Sequence, residues 1–334
     1  MPRSSPPRSR FSRAGLGFRR SAMAGSAPWR PMSSADPASG AAASLLAAEA
    51  PVRNDRRGLW GLLLVAVPVA LVVGLILWPV ALSVLDTLSV TTPEGRRFSL
   101  AHYRFFLSDG FSLRNLWLTI WVTAVSTGLL LGLSLPIALY LRFSHSRLAG
   151  YVQTIALFPL FVPSILLAYA LIRTLGPNGT LDTLLNAVGL PKIPSPYLTP
   201  WGPIIGLVWD NLPLTLLIVL AGLGNVSQAA VEAARDVGAN RLSVLRHIIL
   251  PRITGTLLVA ACFVVLGLFS AFTLPWLLGP TVPEMMGPFM RRTIIDVDQP
   301  TQARTQAVVT FLFCAVFAWF YVRSTARNRR ENER

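Results

Sequence analysis

Hydrophobic residues in this chain come in continuous blocks, without a period of two and without the spaced stripe of a surface helix. Six blocks stand out, at 59–85, 117–141, 151–175, 201–223, 253–278 and 307–322. A helix that crosses a hydrocarbon layer of ~30 Å needs about 20 mostly apolar residues. Blocks of this length predict spanning helices, and their lack of alternation argues against the strands of a closed barrel. The polar stretches between them are unequal. The one at 86–116 is long enough for a small amphipathic segment. The next carries turn residues at Gly176-Pro177-Asn178-Gly179, then a helix-like run at 181–188, then Pro191. The stretch at 279–304 has turn signals at Gly279-Pro280 and Pro283, and its Met285, Met286 and Met290 read as packing.

Charge gives these helices a direction. With the N-terminus inside, 21 of the 30 basic residues fall on the cytoplasmic side, which places both termini there by the positive-inside rule. The net charge of +15 therefore reports membrane orientation and a basic tail, and no nucleic-acid partner is expected. Residues 1–57 hold ten Arg and much Ser, Ala and Pro with no helical or strand period, so a disordered basic N-terminal tail is expected. Residues 324–334 form a basic cytoplasmic C-terminal tail.

Composition removes whole classes of function. The chain is 53% hydrophobic and 13% charged, where a soluble domain carries about a quarter charged residues. Cys262 and Cys314 lie in apolar runs, and His102, His145 and His247 have no second ligand type nearby, so no metal site is argued. No phosphate-binding G-x-x-x-x-G-K-[ST] loop occurs. An intramembrane enzyme would need paired catalytic groups at one depth, and no such motif is found. A stand-alone channel remains a different class; it would conduct without an ATPase.

The polar stretch between the fourth and fifth blocks carries the functional signal. Ser227 can cap a helix over 228–237, Gly238 permits the turn that ends it, and Asn240 can cap a second helix that Pro251 limits. Leu242, Leu245, Ile248 and Ile249 form one apolar stripe on that second arm. The result is a helix–turn–helix at the inner surface whose first arm presents the small residues Ala233 and Ala234 to a partner's groove. An alternative is a helix pair lying on lipid headgroups, held by its four Arg.

This segment resembles the EAA loop of permease subunits from ABC importers: Glu-Ala-Ala, three residues, Gly, nine residues, Ile, one residue, Leu-Pro. Glu232, Ala233, Ala234, Gly238, Ile248, Leu250 and Pro251 fill every position. The resemblance implies an all-α polytopic membrane protein of six transmembrane helices, a type I ABC importer permease-like bundle with cytoplasmic coupling helices. It divides the chain into the tail at 1–57, the first transmembrane helix and outer loop at 58–114, and a permease core at 115–323 with its coupling loop at 225–252. The partners it implies are a cytoplasmic ABC ATPase dimer, a second permease subunit (homologous or identical), an extracytoplasmic solute-binding protein and membrane lipid. No cofactor is bound directly, since ATP and Mg sit on the ATPase. The location implied is the bacterial inner membrane. The Asn178-Gly179 turn and Leu278-Gly279-Pro280 look most like the polyamine-importer permeases; ferric-iron, thiamine and phosphonate permeases share these features.

Asp210 is the one acid well inside a predicted span, where an ionised Asp costs about 2.5–3.5 kcal/mol on insertion scales. It is expected to face the bundle or a water-filled path. With Asn211 it forms a candidate substrate-pathway patch; the alternative is a local hydrogen-bond site at the Pro213 kink, pairing toward Arg173. Gly128 and Gly132 have the small-xxx-small spacing of close helix packing or subunit pairing. Thr119, Thr123, Ser126 and Thr127 are expected to bond back to their own helix.

Overall fold

In the bilayer core every backbone N–H and C=O must be satisfied within the protein, and the apolar blocks meet that demand as helices. A computed structural model describes residues 55–93, 95–144, 146–191 and 194–332. Most of the predicted tail, 1–54, lies outside the described residues. The chain divides at 67/68 into a short N-terminal unit and a main unit. In the first, the described residues are helical from Asp55.

Helix α1, Asp55–Val72, continues through a wide π turn, Val73–Leu77, into α2, Trp78–Thr87. The apolar stretch here is Leu64–Thr87, and its side chains from Pro68 to Leu82 are exposed, as expected of a lipid-facing helix. The following polar stretch holds a feature that the blocks did not predict. A hairpin of β1, Ser89–Thr92, and β2, Gly95–Phe98, precedes the short helix α3, Ala101–Ser108. It is the one sheet among the described residues of an otherwise helical protein.

The second span, α4, is longer than its apolar block and runs Gly110–Phe143. Asp109 caps it, its carboxylate accepting from the Ser112 N–H at 2.9 Å and the Ser112 hydroxyl at 2.7 Å. The cap holds the Asp109 carboxyl below its ordinary range, chiefly through the Ser112 hydroxyl.

The third block is not one helix. Helix α5, Leu148–Leu157, gives way to a tight turn at Phe158–Phe161, and α6, Ser164–Leu175, starts in a new direction. The two halves are bent by 107°. Pro159 and Pro163 explain the break: Val162 precedes a proline and is extended, with φ −99° and ψ 117°. A short α7, Thr180–Ala187, follows, matching the helix-like run expected there.

Helix α8, Trp201–Leu223, coincides with the fourth block despite Pro213. The next helical arm, α9, is Gln228–Asp236. Helix α10, Arg241–Val244, passes through a π turn at Leu245–Ile249 into α11, Leu250–Phe269. Pro251 therefore does not end the second arm: Arg241–Phe269 is one span-length helix. Proline cannot donate to the carbonyl four residues back, and the wide turn just before it accommodates that lost bond. The fifth span stops at Phe269, short of the predicted 278, and 273–278 form a separate helix, α12, Thr273–Leu278. After α13, Met286–Ile295, the last helix α14 runs Pro300–Asn332, well beyond its block on both sides. Among the described residues five helices are long and apolar enough to cross a membrane, or six if the bent pair is one span.

Helices α4, α8, α11 and α14 pack as the bundle, with α2 against α14. Its packing glycines differ from those expected. A Cβ at Gly128 or Gly132 would meet nothing within 4 Å. On α8, a Cβ at Gly222 would lie 2.5 Å from Thr256 Cγ2, and one at Gly206 would lie 2.8 Å from Leu278 Cδ1. The close approach of small residues thus belongs to α8. The hydroxyls of Thr123, Ser126 and Thr127 are buried and make no hydrogen bond among the described residues, contrary to the expected back-bonding.

Candidate functional site

The polar stretch between α8 and α11 folds as a helix–turn–helix. Ser227 Oγ accepts from the Ala230 N–H at 3.4 Å, and Asn240 Oδ1 accepts from the Ser243 N–H at 2.7 Å, so both arms carry side-chain caps. Gly238 takes φ +87°, the left-handed turn that an L side chain disfavours, and its N–H donates to the Arg235 carbonyl at 2.9 Å. Val231 fixes the first arm: it is 2% exposed and packs in one cluster with Leu223 of α8, Ala138 of α4, and Ile249 and Ile253 beyond the turn.

What that arm presents follows from its period. With Val231 inward, Glu232 and Ala233 are exposed and Ala234 is half-buried against the cluster. Glu232 Oε1 accepts from Gln228 Nε2 at 3.0 Å, which leaves the rest of the carboxylate open. Val237, 85% exposed, and Leu242, 70% exposed, flank the Gly238 turn. Leu242 thus departs from the expected apolar stripe, and Val244, 3% exposed, takes the inward place. Ile248 and Leu250 are half-buried and Pro251 is exposed. The tip of the arm thus exposes apolar and acidic groups side by side.

The second group of candidates lies in α8. Asp210 is half-buried, and Ser164, the first residue after the break in the third span, donates its hydroxyl to Asp210 Oδ1 at 3.0 Å. The expected pairing toward Arg173 is not formed. Asn211 turns away: its Nδ2 donates to the Leu207 carbonyl at 2.9 Å, and Thr215 donates to the Asn211 carbonyl at 2.8 Å. These bonds occupy the backbone beside Pro213, so Asn211 serves its own helix. Trp209 meets Phe158 edge-to-face across the same break, with ring centroids 6.4 Å apart.

A third group was not foreseen. The segment after α12 lies on the buried face of α4. Asn115 Oδ1 accepts from the Glu284 N–H at 2.9 Å, and Thr119 Oγ1 accepts from the Met286 N–H at 2.8 Å. Met285 and Met286 are buried, as the packing reading expected. Arg292 Nε lies 2.6 Å from Glu284 Oε1 and its guanidinium stacks on Phe111 at 4.9 Å. Burial raises the Glu284 carboxyl above its ordinary range, and Arg292 opposes that rise. At the same end Asp86 binds two arginines, Arg96 of β2 and Arg304 of α14, the latter at 2.9 Å. Pairings so distant in sequence leave no local pattern to read.

Known proteins resemble this one along most of its length. Residues 124–330 match the family described as binding-protein-dependent transport system inner membrane component. The spermidine/putrescine transport system permease protein PotB of Haemophilus influenzae is 24% identical over 216 residues, covering 64% of this chain and 76% of that one. The trehalose transport system permease protein SugA of Mycobacterium tuberculosis is 30% identical over 220 residues, covering 63% and 69%. Among solved structures, a chain of a bacterial alginate ABC transporter, in complex with an alginate pentasaccharide-bound periplasmic protein, superposes with a TM-score of 0.68. It is 18% identical and covers 84% of this chain and 97% of that one. That likeness is one of fold.

Proposed function

The chain belongs to the binding-protein-dependent transport system inner membrane components, permease subunits of ABC importers, and from this premise we propose that it carries polyamines and couples to its ATPase through the Glu232–Pro251 loop. The observation that carries the coupling reading is the pairing of Val231, buried in the bundle, with Glu232, Ala233 and Val237, exposed beside it. A force applied to the exposed side is transmitted to α4, α8 and α11 through packed side chains, because a close-packed cluster moves as a unit.

In this reading Glu232, Ala233, Ala234, Gly238, Ile248, Leu250 and Pro251 form the docking element for a cytoplasmic ABC ATPase dimer that holds ATP and Mg. A second permease subunit completes the path, and a solute-binding protein delivers the substrate from outside. Both termini lie in the cytoplasm, on the side that holds most of the arginines.

The polyamine assignment draws on the resemblance to PotB and on an acid in a span, Asp210, that meets the Ser164 hydroxyl and no basic side chain among the described residues, which suits a cationic substrate. Relatives named for trehalose and molybdenum transport belong to the same range, so the substrate is decided by experiment. The complex reconstituted with its ATPase, partner permease and binding protein is expected to accumulate labelled spermidine or putrescine in proteoliposomes on ATP addition. Accumulation of ferric iron, thiamine or a phosphonate in their place would overturn the polyamine assignment and leave the permease intact.

A further inference from the structure

We propose that the break in the third span, together with Asp210, forms a water-accessible recognition site for an ammonium group on the translocation path. The inference rests on the permease reading and adds to it the charge that the path selects.

Three observations meet at one place. Asp210 is the tenth residue of the 23-residue α8, far from either end, and is only half-buried. A carboxylate in that position is costly against lipid, so its open side faces water or another protein. The Ser164 hydroxyl occupies one acceptor site of a group that offers about four. No basic side chain among the described residues pairs with it.

The second observation is the break itself. Non-helical backbone at membrane depth is tolerated where it is buried in protein or lines a water-filled cavity. The chain tightens into a 3-10 turn at Phe158–Phe161 and is non-helical at Val162 and Pro163, and Phe161 is 79% exposed. The third is the ring pair at the break: Trp209, next to Asp210 in the chain, meets Phe158 edge-to-face, and aromatic faces attract ammonium groups over short range. An ionisable oxygen acceptor and a hydroxyl beside aromatic rings fit a primary ammonium and fit an anion poorly.

The test uses charged thiol reagents, so it does not depend on knowing the substrate. In a Cys262→Ala, Cys314→Ala background, Ser164→Cys is expressed with the partner subunits and the assembled complex is treated in native membrane vesicles. The cationic trimethylammonium-ethyl methanethiosulfonate and its anionic sulfonatoethyl analogue are compared, each rate normalised to free cysteine. Focusing by a buried charge raises local counter-ion concentration on the order of tenfold or more. The cationic reagent is therefore expected to react at least about tenfold faster, and Asp210→Asn is expected to bring the ratio close to one. Phe161→Cys serves as reporter if Ser164→Cys does not assemble. Absence of reaction at both positions, equal rates for the two reagents, or a ratio unchanged by Asp210→Asn would each overturn the proposal. Failure of the unsubstituted protein to co-purify its ATPase would instead count against the coupling reading.

Discussion

Thr119, in the second span, receives a hydrogen bond of 2.8 Å from the backbone N–H of Met286, 167 positions away, with both residues fully buried. This bond, with the one from the Glu284 N–H to Asn115, seats the segment between the last two spans on α4. Thr119→Val keeps the shape and removes the acceptor. Stranding a buried N–H costs about 1–3 kcal/mol, so the variant is expected to unfold earlier on heating in detergent. It should also be cut faster by trypsin at Arg291 or Arg292. Thr119→Ser should retain both properties, and a stable Thr119→Val protein would count against the seat.

Gly238 offers a test of backbone need alone. A Cβ there meets nothing within 4 Å, yet φ is +87°. Gly238→Val should cost about 1–2 kcal/mol locally through the left-handed penalty. It should weaken ATPase binding while leaving the subunit inserted. Gly238→Asn should lose less, because Asn tolerates this region. Co-purification of the ATPase, quantified against the permease, reads both.

The Asp109 cap gives a pH dependence with a defined sign. Its carboxyl is held below the ordinary range in the folded protein. The stabilisation is therefore fully present above the ordinary value of 3.8 and is lost as pH falls through the lower folded value. Asp109→Ala should cost about 0.5–2 kcal/mol at neutral pH, and the gap from the unsubstituted protein should close in strong acid. Asp109→Asn should behave nearly as Asp at neutral pH. Melting curves of the three proteins at several pH values check this.

Two glycines with different surroundings should respond differently. Gly222→Leu places a side chain where Thr256 Cγ2 lies 2.5 Å from the new Cβ, so α8 and α11 must separate. Overpacking of this kind costs about 1–3 kcal/mol or more, and poor membrane accumulation is expected. Gly128→Ala meets nothing and should accumulate normally unless a partner subunit packs there.

The membrane class, the spans and the helix–turn–helix were legible in the sequence because each rests on local information. The order and place of the spans follow from the blocks, though not their exact ends, and the Gly238 turn follows from a single residue type. What was not legible depends on partners distant in the chain. The 107° bend at Pro163 was hidden because the apolar block runs straight through it. Pro251 was read as a stop, and a wide turn just before it carries the helix on. Asp210 was recognised as costly, but its partner is Ser164 rather than Arg173, since only the bend brings Ser164 beside α8. Asn211, adjacent to Asp210, had to be separated from it by geometry, because its amide bonds its own helix.

The central claim, that the loop at 225–252 is where the ATPase docks, is tested most directly by a photo-crosslinking residue at Val237. This side chain is 85% exposed beside the Gly238 turn. In membranes holding the assembled transporter, irradiation is expected to join this chain to the ATPase subunit, and Glu232→Gln together with Gly238→Val should reduce the yield. Adducts with lipid alone, in a preparation where the ATPase is bound, would contradict the account.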